Sequence, residues 1–356
     1  MTSHANFGQS THGTEVTKAF ASQVTDKIVL ITGVSAGGIG GSTAWSLAAH
    51  SPKLLLLTGR QRSRVQEVID KINQQSPNVT CKFVELDLSS QQSVRAAAKK
   101  ILDDSDIPHI NIIINNAGVM NLPKLTHSPE GIEAQFATNH IGHFLLTNLL
   151  MPKLLTAASS ATAKGATRVI NVSSRAIIYS PVRLSDPNFT KFEEDLPPSE
   201  HAAWQNLSFY RLQEPADTPY TPQTAYGQSK TANALFSRAL TRRLYHKYGV
   251  LSIGLHPGFI ITELGRHMDP EELKAAMEKF KSAIYAKNTE EGCSTSLVAA
   301  LDPKLDDKVE FMADCQLAGS DSWVPKYAVD DDVADRLWSL SEELTGDKFT
   351  YENLAN

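Results

Sequence analysis

The chain alternates between short continuous apolar runs and stretches in which apolar residues recur at helical spacing. Residues 27–32 (KIVLIT) are a β-branched run ending in glycines, the pattern of a strand buried on both faces. Residues 41–50 read as a helix and 54–58 (LLLLT) as a second strand. Residues 63–75 read as a helix with Val65, Val68, Ile69 and Ile72 on one face. The alternation continues with a strand at 79–86, a helix at 91–102 and a strand at 112–115 (IIIN). A long helix is predicted over 131–155, a strand over 167–173 and a helix over 223–247. A strand over 250–255 and a helix over 289–300 follow. Such alternation predicts βαβ units in an α/β fold, a doubly wound parallel sheet covered on both faces.

Three segments break this rhythm. Residues 1–25 are polar and rich in Gly, Ser and Thr, so they read as an extension outside the core. Residues 175–222 carry many prolines together with Phe189, Phe192, Trp204, Phe209, Tyr210 and Tyr220. Residues 262–288 mix Met268, Met277, Phe280 and Tyr285 with charges, and read either as a substrate lid or as ordinary core. Both later segments follow strand ends, where open α/β sheets bind ligands. The sequence shows no internal repeat and no second domain. The expected organisation is therefore one domain over 26–356, with a substrate-side insertion at 175–222.

Composition narrows the function classes. A formal net charge of −5 leaves no basic surplus for a nucleic-acid footprint. Three scattered cysteines, Cys81, Cys293 and Cys315, suit reduced thiols and neither a disulfide framework nor a metal site. The apolar runs are strand-sized, too short for a membrane span, and the first residues lack a secretory pattern. The expectation is a cytoplasmic protein.

Residues 32–41 (TGVSAGGIGG) lie between a strand and a helix, as a dinucleotide phosphate site requires. Glycines let the backbone approach a pyrophosphate, and free N–H groups at a helix start face the anion. Gly33, Ser35, Gly38, Ile39 and Gly40 are the candidates, with Gly37 and Gly38 competing for one role. The second strand ends in Thr58-Gly59-Arg60, followed by Arg62 and Arg64, with no acidic residue to hold a ribose 2′-hydroxyl. A guanidinium there binds a 2′-phosphate in forked geometry, so NADP(H) is the expected cofactor and Arg60 the first candidate for that phosphate. The alternative is that these arginines form a solvated helix start.

Tyr226 and Lys230 stand one turn apart on a predicted helix. A tyrosine is a poor base at neutral pH, and an ammonium beside it stabilises the phenolate. Other pieces agree: Val169–Ser174 (VINVSS) ends a strand in two serines, Asn115–Gly118 (NNAG) ends the one before it, and Asn139 lies in the long helix.

With these motifs in this order, residues 26–345 resemble the short-chain dehydrogenase/reductase family, whose fold is the Rossmann type. The motifs AYGQSKTANALF (225–236), NHIGHFLL, HPGFIITEL and RLWSLSEELTG (336–346) resemble its retinol-dehydrogenase-like branch, fungal members included. The resemblance implies an NADP(H)-dependent interconversion of a carbonyl and an alcohol on a lipophilic small molecule. It makes Tyr226 the general acid/base, Lys230 the group that lowers its pKa and holds the nicotinamide ribose, and Ser174 the partner of the substrate oxygen, with Ser173 as alternative. Asn139 is expected to hold a water that relays protons from Lys230. Asn116, Ala117 and Gly118 would pack on the adenosine side, with Asp87 and Leu88 at the adenine. Pro257, Gly258, Ile260 and Thr262 would bracket the nicotinamide carboxamide. Many relatives pair through the helices at 131–155 and 223–247, so a monomer or a homodimer is expected.

The sequence departs from the family pattern in one extra residue in the glycine turn, in 52 positions between Ser174 and Tyr226, and in residues 1–25. His140 and His143 sit three apart without a third metal ligand nearby, which favours helix packing over a metal site. His256 is a candidate for substrate contact or for a structural role at a strand end. Asp330–Asp332 are expected to complement a helix N-terminus. The rival functions are an epimerase with no net redox change and a non-catalytic NADPH-responsive binding protein.

Overall fold

Buried apolar runs form the centre of one sheet in the computed structural model, which describes residues 1–207, 217–266, 285–319 and 321–352. The strands are β1 (Ile28–Ile31), β2 (Leu54–Gly59), β3 (Cys81–Glu85), β4 (Ile112–Asn115), β5 (Thr167–Val172) and β6 (Val250–His256). A short β7 (Phe259–Ile260) pairs with β8 (Ala286–Lys287), and β9 (Phe311–Ala313) forms a hairpin with β10 (Gln316–Ala318). The main sheet runs β10-β9-β6-β5-β4-β1-β2-β3, parallel throughout except for β10. Strand order reverses at β1, which pairs with both β2 and β4, and the crevice beyond their C-terminal ends is where such sheets take ligands.

Alternate residues of each strand serve opposite layers. Ile28, Leu30, Leu54, Leu56, Ile113 and Val169 join one core cluster, while Val29, Ile31, Leu55, Leu57, Ile112 and Ile114 join the other. The helices that cover them are α1 (Gly13–Ala19), α2 (Ile39–Ala48), α3 (Arg62–Gln75), α4 (Gln91–Asp103), α5 (Gly142–Leu149), α6 (Met151–Ser159), α7 (Pro222–Tyr248), α8 (Thr289–Leu301) and α9 (Asp331–Thr345). Asp330 caps α9 by accepting from the Val333 N–H. Trp338 of α9 packs edge-on to Phe144 at 5.0 Å and lies beside Phe236, so α9 covers faces of α5 and α7. By the resemblance, those helices are where many relatives pair.

Two expectations change. Residues 1–25 were read as lying outside the core, yet Val16, Phe20 and Val24 are buried in it. Close approach makes this possible. A Cβ on Gly13 would come within 2.3 Å of Cys293 Sγ and 2.7 Å of Ser46 Oγ, so α1 sits tightly between α2 and α8. Ser3 adds a backbone N–H bond of 2.7 Å to the buried Asp302 carboxylate. Replacing Phe20 by Ala should therefore cost about 3 kcal/mol, read as a lowered midpoint in urea. An unchanged midpoint would restore the reading of these residues as a tail.

The single helix expected over 131–155 is four successive segments with one bend. A turn at Ala134–Phe136, capped by Glu133, runs into a π-helical turn at Ala137–Ile141, then α5, then α6 at a 54° bend. Pro152 explains the bend, since it has no N–H to continue the ladder and is tolerated only in a first turn. Although this bent pair is apolar, most of it is buried in the core, and among the described residues no single helix is long and apolar enough to cross a membrane.

The described part of the insertion folds around its own polar centre. Arg183 pairs with Asp186 at 2.6 Å, both buried, and lies over the Phe189 ring. Phe189 in turn meets Tyr220 edge-on at 5.6 Å. Phe209 and Tyr210, and the body of the 262–288 segment, lie outside the described residues.

Candidate active site

The crevice is built from the residues that follow β1, β2, β4, β5 and β6. At the end of β1, the Thr32 hydroxyl accepts from the backbone N–H groups of Asn116 and Ala117, each at 3.0 Å. The Asn116 amide donates back to the Thr32 and Gly33 carbonyls. Gly33 has φ +69°, and a Cβ there would lie 2.6 Å from Ala117 Cα, so the first two turns of the site lock together only around glycine.

Ser35 and Gly38 then close a turn through a Gly38 N–H to Ser35 carbonyl bond of 3.1 Å. Gly38 is the N-cap of α2, while Gly37 has nothing within 4 Å of a built Cβ. The extra residue is thus absorbed before the helix, and Gly38 takes the position at the helix start. A Cβ on Gly40 would lie 2.7 Å from the Gly33 carbonyl oxygen and 2.8 Å from the Asn116 amide nitrogen. A Cβ on Gly292 would lie 2.8 Å from Ile260 Cγ1 and 3.4 Å from Ile39 Cγ1, so the segment after β6 and the start of α2 both pack on α8 there.

Arg60 is the first residue past β2, beside the glycine turn, to which the Thr58 carbonyl is tied by the Val34 N–H. Of the nearby arginines, Arg62 lies over Phe83 and Arg64 pairs with Glu263 of the segment after β6. Arg60 has no hydrogen bond or ion pair among the described residues. The Arg266 guanidinium is held below its usual range by burial, then by Arg60, with Glu263 opposing and Arg64 adding. Three guanidiniums therefore share this lip of the crevice with one carboxylate. Asp87 accepts from the Ser89 N–H and hydroxyl, and the Leu88 carbonyl lies where a Cβ on Gly142 would be.

The other lip holds the candidate catalytic groups. Ser173 is buried and donates to the Lys230 carbonyl at 2.6 Å, so it is committed to structure. Ser174 accepts from the Ala176 N–H and hydrogen bonds Tyr226. The structure thus brings Ser174 rather than Ser173 to the tyrosine. Lys230 donates to the Val172 carbonyl at 2.9 Å, and its ammonium lies 5.7 Å from the Tyr226 ring centre.

Both groups are buried. Burial drives Tyr226 up to about 12 against the opposing Ser174 hydrogen bond, and burial drives Lys230 down to about 7. The Tyr226 hydroxyl stands above its ordinary value because loss of water outweighs what Ser174 returns.

Asn139 sits in the π-helical turn. Its Oδ1 accepts from the Val119 N–H, and its amide donates to the Val119 carbonyl and to Ser229. Both amide hydrogens are therefore used in bracing the Gly118–Val119 turn. A Cβ on Gly118 would lie 3.1 Å from that Oδ1 and 3.4 Å from Lys230 Nζ, so this turn packs closely between them.

His143 is a site residue that sequence reasoning assigned to packing. Its Nδ1–H donates to the Asn139 carbonyl, which leaves Nε2 to accept from Thr32 at 2.8 Å. Burial lowers it to about 4, so it stays neutral. Through it the glycine turn and the Asn139 turn are joined. His140 instead contacts Ser341, and among the described residues no group of His, Cys, Asp or Glu could hold a metal ion.

After β6, Pro257 is buried and Gly258 has φ +108°. His256 Nδ1 accepts from the Arg175 N–H at 3.0 Å, which ties this strand end to the residue after Ser174. Thr262 caps the next turn by accepting from the Leu264 N–H.

Comparison with known proteins decides the family. A model for short chain dehydrogenase matches residues 27–185. The chain is 36% identical to oxidoreductase fscI of Fusarium equiseti, over 71% of this chain and 94% of that one. It is 32% identical to retinol dehydrogenase 14 of Mus musculus, over 90% and 86%. The chain belongs to the short-chain dehydrogenase/reductase family. It is an oxidoreductase, of a family that uses nicotinamide cofactors, and is retinol-dehydrogenase-like with fungal relatives. Among solved structures, an uncharacterized protein from Mycobacterium Paratuberculosis superposes with a TM-score of 0.62 at 27% identity, covering 92% of this chain and 96% of that one.

Proposed function

We propose that this protein uses NADP(H) to interconvert a carbonyl and an alcohol on a lipophilic small molecule, with Tyr226 as the acid/base. The observation that carries the reading is the enclosed Ser174–Tyr226 hydroxyl pair, with Lys230 one turn along α7. The retinol dehydrogenase among its relatives supports the lipophilic class.

The crevice fits a dinucleotide. The backbone has room beside Gly33 and Gly40 only without a Cβ, and the N–H groups of α2 open towards the turn. Gly33, Ser35, Gly38, Ile39 and Gly40 would hold the pyrophosphate, Arg60 the 2′-phosphate, and Asp87 and Leu88 the adenine. Asn116, Ala117 and Gly118 would line the adenosine side, and Lys230 would reach the nicotinamide ribose. Pro257, Gly258, Ile260 and Thr262 would receive the carboxamide. When bound, the cofactor supplies the hydride.

The protein supplies orientation and the proton. Ser174 already accepts from the Ala176 N–H, so its O–H is left to donate towards an oxygen held between it and Tyr226. With its pKa raised, Tyr226 keeps its proton at neutral pH and is set to deliver it to an oxygen gaining negative charge.

A fluorescence titration with NADPH and separately with NADH tests the cofactor. Tight NADPH and weak NADH binding is expected, and the reverse preference overturns the reading. A pH profile tests the electrostatics. Lys230 is charged below about pH 7 and neutral above it, while Tyr226 stays protonated throughout. The kcat/KM for reduction of a lipophilic ketone should accordingly fall as pH rises through 7. A profile flat from pH 6 to 9 would remove the Lys230 charge from the mechanism.

A further inference from the structure

A buried lysine paired with a half-exposed aspartate lies against the Pro257–Gly258 turn. Lys287, on β8, is in register with Ile260 of β7. Its side chain is 2% exposed, and its ammonium lies 2.6 Å from the Asp314 carboxylate. The contact is an ion pair only: the ammonium makes no hydrogen bond among the described residues. The lysine stem is packed on Gly258: a Cβ there would lie 2.5 Å from Lys287 Cδ, 2.7 Å from Cε and 3.1 Å from Nζ.

The partner carboxylate is presented by an unfavourable turn. Asp314 and Cys315 form the two-residue loop of the β9–β10 hairpin, both left-handed, at φ +47° and +62°. Two-residue hairpin loops of this kind favour Asn-Gly and Asp-Gly, so Asp314 suits its position, whereas Cys315 stands where glycine is preferred, at a cost of about 1–2 kcal/mol. Cys315 is pinned there by its N–H to Thr295 and its thiol to Ser294. The loop begins one residue after Ala313, which pairs with His256, so it stands at the strand end that leads into Pro257.

Strain and a buried charge are both retained at one place, although a methionine would fill the lysine's volume without a desolvation penalty. What they share is contact with the backbone at Gly258 and the strand end before it. We propose that Lys287 and Asp314 are positioning residues that fix the Pro257–Gly258 turn for the nicotinamide end of the cofactor. This rests on the reading above that the turn receives that end. The pair acts through the backbone: the ammonium, held by Asp314, keeps the lysine stem flat under Gly258, and the turn cannot settle towards the sheet.

The test separates the two ends of the cofactor. NADPH binding is followed by nicotinamide fluorescence, and 2′,5′-ADP binding, which uses only the adenine end, by calorimetry. Lys287→Met should weaken NADPH at least about ten-fold and leave 2′,5′-ADP within about two-fold. Lys287→Arg, which keeps the charge, should recover most of the loss. Asp314→Asn, nearly isosteric, should shift NADPH in the same direction and serves if the methionine variant does not fold. Unchanged NADPH binding in both variants, or equal loss of both ligands, overturns the positioning role. A parent protein that binds neither ligand overturns the cofactor reading, and the role with it.

Discussion

Tyr226→Phe should lower turnover by about a thousand-fold or more while NADPH binding stays within a few-fold, since general acid catalysis commonly contributes about 10²–10⁴. The tyrosine is 6% exposed, so the phenyl ring of the variant occupies the same space. What goes is one oxygen, together with its hydrogen bond to Ser174. Stability should move by no more than about 1 kcal/mol, the net worth of one hydrogen bond. The loss therefore falls on the chemical step. Ser174 remains to polarise the substrate oxygen, but Lys230, driven down to about 7, is only about half protonated at neutral pH and is committed to the Val172 carbonyl. Single-turnover oxidation of bound NADPH by a ketone measures the effect. A residual rate within about ten-fold of the parent would sink the assignment, and the rivals without proton delivery at Tyr226 would return.

The sheet was legible because its strands are buried on both faces. Residues 28–31 and 112–115 have no polar alternation to misread, and the turns after them contain the glycines that the crevice needs. Tyr226, Lys230, Ser174 and Asn139 were legible because their spacing and order reflect elements that converge on one edge. The N-terminal segment misled because its composition is polar, yet Val16, Phe20 and Val24 recur every four residues, a helical stripe that composition alone obscures.

The break at Leu150 was visible only through Pro152, since the apolar residues around it are buried and show no clear face. The β9–β10 hairpin was not legible because Asp314-Cys315 lacks the glycine that announces such a loop. The Lys287–Asp314 contact was beyond reach for a different reason: it joins β8 to the β9–β10 loop, residues 27 positions apart, through tertiary packing that no local pattern encodes.

Arg60→Glu should invert the cofactor preference, weakening NADPH by about a hundred- to a thousand-fold and leaving NADH within a few-fold, as expected when a charge-assisted contact is replaced by repulsion. The argument rests on what surrounds Arg60. Arg62 is engaged with Phe83 and Arg64 with Glu263, and Arg266 donates to the Glu263 carbonyl. Arg60 is the guanidinium that emerges from β2 beside the glycine turn with no ion pair among the described residues, so it can turn to an incoming phosphate without breaking one. Glutamate in its place would face the phosphate with like charge. Towards NADH the same carboxylate would meet a 2′-hydroxyl, which donates a hydrogen bond to it, so the affinity there should hold or rise. Titration of the variant with each cofactor, at low and at moderate salt, reads the outcome. If NADPH affinity is unchanged, the 2′-phosphate lies elsewhere on that lip, and Arg64, released from Glu263, becomes its holder. If both cofactors weaken alike, the residue serves the turn and not the choice between them.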